Sequence, residues 1–149
     1  MDRDLYETDF ALWSERQADA VRRRASNEID CENVAEEIES LGRSDRREIS
    51  SRLAVICTHL LKWQFQPKRR SRSWRSSVVQ NRRKIAELID ESPSLASYPA
   101  ERLNGPKGAY DDGRRVAEAE TGLTKLPAEC PWPIDQVLDA DFWPGTDNG

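Results

Sequence analysis

The chain has 149 residues, 37% hydrophobic and 34% charged, with a formal net charge of −4. That is length enough for one core, and a lean one. No apolar run approaches the 18 residues of a membrane span, and the acidic N-terminus lacks the basic-then-apolar layout of a signal peptide, so a cytoplasmic setting is expected. Cys31, Cys57 and Cys130 are odd in number and scattered, which does not suggest a disulfide framework.

Ala, Leu, Glu and Arg dominate and β-branched runs are nearly absent, so the expected fold class is all-α, a single-domain helical bundle over residues 1–149. A first helix is predicted from about Thr8 to Arg24, with Phe10, Trp13, Gln17, Ala20 and Val21 on one face. After a short connection, Asp30 is placed to cap a second helix, with Ile29 and Val34 as a hydrophobic staple. Its stripe reads Val34, Ile38, Leu41, Ile49, Leu53, Ile56, Leu60 and Trp63 without losing phase, and Pro67 ends it. One helix from Cys31 to Phe65 would be about 50 Å long. A compact chain of this size has a gyration radius of roughly 15 Å, so either Gly42 with Asp45–Glu48 restarts the helix or another subunit covers the excess. The unbroken phase favours one long helix.

A basic loop from Gln66 to Arg72 leads to a third helix, Ser73 to Glu91, with Trp74, Val78, Asn81, Ile85, Leu88 and Ile89 inward. The second and third helices are expected to pack as two long antiparallel helices. Ser92–Pro93 opens a short fourth helix to Leu103, and a fifth runs from Ala109 to Glu120, stopped by Gly122. The Pro/Trp-rich tail, with Pro127, Pro131, Trp132, Pro133, Phe142, Trp143 and Pro144, is expected to wrap the body and bury its rings, with a turn near Ile134 to Leu138.

Several runs form a recognisable set: Leu5–Tyr6–Glu7–Thr8–Asp9–Phe10, Asn33 through Ser44 (NVAEEIESLGRS), His59 through Pro67 (HLLKWQFQP), Ser92–Pro93–Ser94–Leu95, Glu120–Thr121–Gly122–Leu123, and Cys130–Pro131–Trp132 through Asp141–Phe142–Trp143–Pro144. Together they resemble the bacterial family filed as domain of unknown function 29, over residues 5–144. The resemblance implies an almost entirely helical protein and no particular activity, and it carries no catalytic or binding residues across. Tyr98–Pro99 and Asn104–Gly105–Pro106 depart from the more continuously helical pattern of that family, which leaves the layout of the fourth and fifth helices open.

The strongest functional signal is charge segregation. From Ile49 to Ala86 there is no acid, and ten basic residues stand among Trp63, Phe65 and Trp74. The chain before this block holds 14 acids and 8 bases and the chain after it 13 and 5, so the three parts run −6, +10 and −8. Lys68, Arg69, Arg70, Arg72 and Arg75 are the candidates for binding an anion or a partner. Against that stands plain pairing of these arginines with the acidic second helix and the acidic tail.

Glu36 and Glu39, with Glu87 and Asp90, are similar to paired acidic signatures that hold Mg²⁺ between antiparallel helices, and a Mg²⁺-dependent nucleotide or phosphate-ester hydrolase is the alternative they raise. A solvated acidic face, Glu39 bonding Arg43, is the plainer reading. His59 reads as a core-edge histidine, Cys130 beside two prolines as structural, and no nucleophile–base pair or phosphate loop is recognisable. No catalytic residue, cofactor or metal is expected. The expected function is a small helical protein acting through a protein partner or self-association. Nucleic-acid binding through the 68–75 loop is a second, less favoured alternative.

Overall fold

The computed structural model describes residues 2–145. All regular structure among them is helical: α1 (Asp2–Thr8), α2 (Phe10–Arg22), α3 (Cys31–Phe65), α4 (Arg72–Glu91), α5 (Tyr98–Leu103), α6 (Ala109–Thr121) and α7 (Ile134–Leu138), with 3₁₀ turns at Pro67–Arg69 and Pro93–Ser97. The all-α class and the order of elements are as the periodicity predicts. The chain packs as two units that divide between Ser44 and Asp45, and α3 runs unbroken through Gly42 from one into the other.

In the first unit the N-terminal segment is helical earlier than expected. Asp9 breaks it and restarts it as α2, its carboxylate accepting from Leu12 N at 3.1 Å. Trp13, Gln17 and Ala20 are buried as the stripe predicts, but Phe10 and Val21, assigned to the same face, are about half exposed. Gln17 is buried because its amide ties down the connection to α3, donating to Glu28 O and accepting from Asp30 N. The Asp30 carboxylate does not cap α3 through the backbone. It accepts instead from the Asn33 amide at 2.7 Å and the Trp13 indole at 3.4 Å.

The second unit holds the core. Ile49, Leu53, Ile56, Leu60 and Leu61 of α3 are fully buried against Val78 and Ile85 of α4, Leu103, Ala109, Ala117 and Val137. The second half of α3 and α4 are antiparallel: Arg52 bonds Asn81, and Lys62 sits 4.7 Å over the Trp74 ring. Ser71 caps α4 by accepting from Trp74 N, so the helix starts at Arg72.

The expected fourth helix divides into a 3₁₀ turn and α5, because Pro93 and Pro99 each occupy an opening position and neither can donate to a preceding carbonyl. On α6, Gly113 lies against α3 so closely that a Cβ would stand 2.6 Å from Ala54 O and 2.8 Å from Cys57 Cβ. Thr58 Oγ1 bonds Gly113 O across the same contact. The tail wraps this unit as expected, with Leu126, Trp132, Val137 and Trp143 buried.

Candidate functional site

The basic block resolves into a tryptophan cage and a set of exposed cations. Trp63 of α3 and Trp143 of the tail pack at 4.6 Å between ring centroids. Arg70 lies 5.0 Å from the Trp63 ring and donates to Trp63 O, while Arg75 and Arg82 lie 5.0 and 5.4 Å from the Trp143 ring. Plain pairing with acids therefore covers only part of the block, as in Lys62 with Glu120 and Arg52 with Glu48. Much of the rest is held by aromatic faces, whose negative quadrupoles attract a guanidinium.

Arg82 is the residue that the sequence reading passed over. It is 5% exposed and donates to Val137 O at 2.8 Å, at the C-terminal end of α7, and to Gln136 O at 3.3 Å, which also accepts from the Asp139 amide. Burial lowers its pKa to about 10, opposed by the charge of Asp139, so it stays a cation at neutral pH. Its position was visible in the sequence: Val78, Arg82, Ile85 and Ile89 keep helical phase, with a guanidinium where an aliphatic belongs.

Of the five basic candidates, Arg70 and Arg75 belong to the cage. Lys68, Arg69 and Arg72 are exposed, and their side chains have no partner among the described residues.

The acidic candidates are engaged locally. Arg43 bonds Glu36 at 2.6 Å and reaches Glu39 at 3.7 Å, and Lys84 pairs with Glu87 at 3.4 Å. Among the described residues no group of three or more His, Cys, Asp or Glu side chains could hold a metal ion. His59 Nδ1 lies 2.9 Å from Val55 O, a bond from ring to backbone within its own helix.

Two concave surfaces stand out among the described residues. In the first unit α2 and the N-terminal part of α3 line a groove of about 620 Å³, walled by Phe10, Trp13, Val21, Val34, Ile38 and Leu41. Its rim is unusually apolar for open surface: Phe10 is 50%, Val21 48%, Ile38 64% and Leu41 69% exposed. Tyr6 packs edge-on against Trp13 at 4.7 Å between centroids, its hydroxyl bonded to Glu37; that bond raises the Tyr6 pKa to about 12. In the second unit a cavity of about 560 Å³ is lined by Leu103, Asn104, Tyr110, Asp111, Glu129 and Cys130. Tyr110 Oη donates to Pro127 O and anchors the loop that carries Cys130.

No helix of the described residues is long and apolar enough to cross a membrane. One family model matches the chain, Domain of unknown function DUF29, over residues 5–143. No curated protein and no solved structure matches it.

Proposed function

The chain belongs to the DUF29 family, and on that premise we propose that it is a non-catalytic, self-associating helical protein of the cytoplasm, which pairs with a second copy through the groove between α2 and α3. The observation that carries this reading is the apolar face left open by the first unit. A helical stripe is stable when it is covered, and Ile38 and Leu41 of the α3 stripe face water although they keep the phase of its buried residues. The exposed parts of Phe10, Val21, Ile38 and Leu41 lie along one groove, and a contiguous exposed apolar patch commonly marks an interaction site.

Charge favours a second copy over an unrelated partner. Asp4 and Glu7 stand before the start of α2, while Arg22 and Arg24 stand at its end, and none of the four side chains has a partner among the described residues. A twofold axis across α2 sets each acidic end against the basic end of the other copy and stacks the two open faces as a four-helix layer. The cytoplasmic assignment rests on the three unpaired cysteines.

Sedimentation velocity at micromolar concentration is the direct test. A dimer that Ile38→Glu and Leu41→Glu turn into a folded monomer supports the reading. A strict monomer, or a dimer indifferent to both substitutions, refutes it.

A further inference from the structure

The basic block keeps four cations that neither the tryptophan cage nor an acid holds. Lys68 and Arg69 stand in the turn before α4, and Arg72 and Arg83 on α4 itself. All four side chains are exposed and have no partner among the described residues. Helical phase puts Arg72, Ser76, Val79 and Arg83 on one exposed stripe with Gln80 beside it, opposite the buried Val78, Arg82 and Ile85. At 1.5 Å per residue this stripe runs about 17 Å from Arg72 to Arg83. No acid occurs on α4 before Glu87. We propose that this outer face of α4 seats in the major groove of a DNA duplex, with the Pro67–Arg69 turn and both ends of the stripe on the phosphates.

The chemistry of the stripe selects this partner over others. Single strands are held by stacking bases on open aromatic faces, and here the rings beside the cations are taken. Arg70 lies 5.0 Å from the Trp63 ring, Lys62 4.7 Å from that of Trp74, and Arg75 and Arg82 lie against Trp143. The major groove of duplex RNA is too deep and narrow for side chains to read, whereas that of B-form DNA, about 12 Å wide, admits a helix. A protein partner needs an apolar or aromatic anchor and a lipid surface an apolar face; Val79, 43% exposed, is the one large apolar side chain on the stripe. In a major groove Val79 can meet a thymine methyl, while Ser76 and Gln80, bonded to each other at 2.9 Å, face the base edges.

The acidic net charge of the chain does not oppose this, because it is unevenly placed. Residues 1–44 hold 12 acids and 6 bases, and residues 45–149 hold 15 acids and 17 bases. The unit that carries α4 is therefore slightly basic, and its acids are absent from the stretch that carries the stripe. The cage adds rigidity: Arg75 and Arg82 tie α4 to the Trp143 ring at 5.0 and 5.4 Å, so the outer face is presented on a fixed element. The stripe does not use the α2–α3 groove, so this inference and self-association can fail independently.

Fluorescence anisotropy with the full chain and a labelled mixed-sequence DNA duplex of about 20 base pairs tests the proposal. Binding should have a dissociation constant of about 100 µM or tighter at 50 mM salt. Four phosphate contacts, by Lys68, Arg69, Arg72 and Arg83, give a salt slope of about −3.6, so affinity should fall about 150-fold between 50 and 200 mM salt. Arg72→Ala with Arg83→Ala should weaken binding at 50 mM salt at least about tenfold and bring the slope to about −1.8. Lys125→Ala, at an exposed cation of the tail, should change affinity less than about twofold. The substituted side chains are in water, and circular dichroism checks that each variant is folded. The same sequence as a single strand or as duplex RNA should bind at least about tenfold more weakly than duplex DNA. No binding to the DNA duplex at 100 µM protein would overturn the proposal. So would an unchanged slope in the double variant, an equal loss in Lys125→Ala, equal affinity for single-stranded DNA or duplex RNA, or tighter binding to phosphatidylglycerol vesicles than to DNA.

Discussion

Truncating Ile38 tests the self-association reading most sharply, because the structure predicts a large effect on pairing and almost none on folding. Full burial of an isoleucine side chain is worth about 1.5–3 kcal/mol. Ile38 is 64% exposed in the single chain, so about 1–2 kcal/mol remains to be gained when a second copy covers it. A twofold interface counts each substitution twice, so Ile38→Ala should weaken the dimer by about 2–4 kcal/mol, roughly 30- to 1,000-fold in dissociation constant. The fold itself loses little, since the side chain is mostly in water already and alanine is the better helix former. Sedimentation equilibrium over a concentration series gives the constant, and circular dichroism checks the fold. Val116 is a matched control, 45% exposed on α6 and outside the groove. A shift of less than threefold for Ile38→Ala, or an equal shift for Val116→Ala, would refute the assignment of the interface to this groove.

Other outcomes follow from the same contacts. Arg82→Ala should cost about 2–4 kcal/mol in urea unfolding followed by tryptophan fluorescence, because it takes the side-chain donor from the Val137 carbonyl, one of two donors from Gln136 O, and uncovers the Trp143 ring; an unchanged midpoint would mean the guanidinium is not holding the tail. Gly113→Ala should cost about 1–3 kcal/mol, since the atoms a Cβ meets are a backbone carbonyl and the core side of Cys57 and not a flexible chain end, and a thermal midpoint equal to the parent's would rule out so close a helix contact. Tyr6 ionises near 10 in the unfolded chain and near 12 in the fold, so the native state holds the extra proton between those values. Stability should therefore fall as pH rises from 10 to 12, and Tyr6→Phe should flatten that part of the profile in a pH series of denaturation curves.

The helices were legible in the sequence because the signals that bound them are local. Pro67 halts α3, Gly122 ends α6 in the left-handed conformation that glycine adopts without strain, and the phase from Val34 to Trp63 carries α3 through Gly42. The candidate site was legible only in part. Lys68, Arg69 and Arg72 stay exposed, but Arg70 and Arg75 are held by tryptophan rings. The ring that holds Arg75 comes from Trp143, and no local pattern near residue 75 announces a partner so far along the chain. The second half of the α3 stripe is buried and the first half is not, although both have the same periodicity. Periodicity reports which face is apolar. Burial depends on whether another element arrives to cover it.

Propensity, phase and composition within short stretches of chain suffice for the all-helical class, the length of α3, the wrapped tail and the segregation of charge. The buried cation at Arg82, the seating of Gly113 against α3 and the open α2–α3 groove came from the packed fold and from nothing shorter. Each of these is a meeting, or a failure to meet, between residues distant in sequence. Such contacts arise when whole elements pack, and no local pattern encodes them.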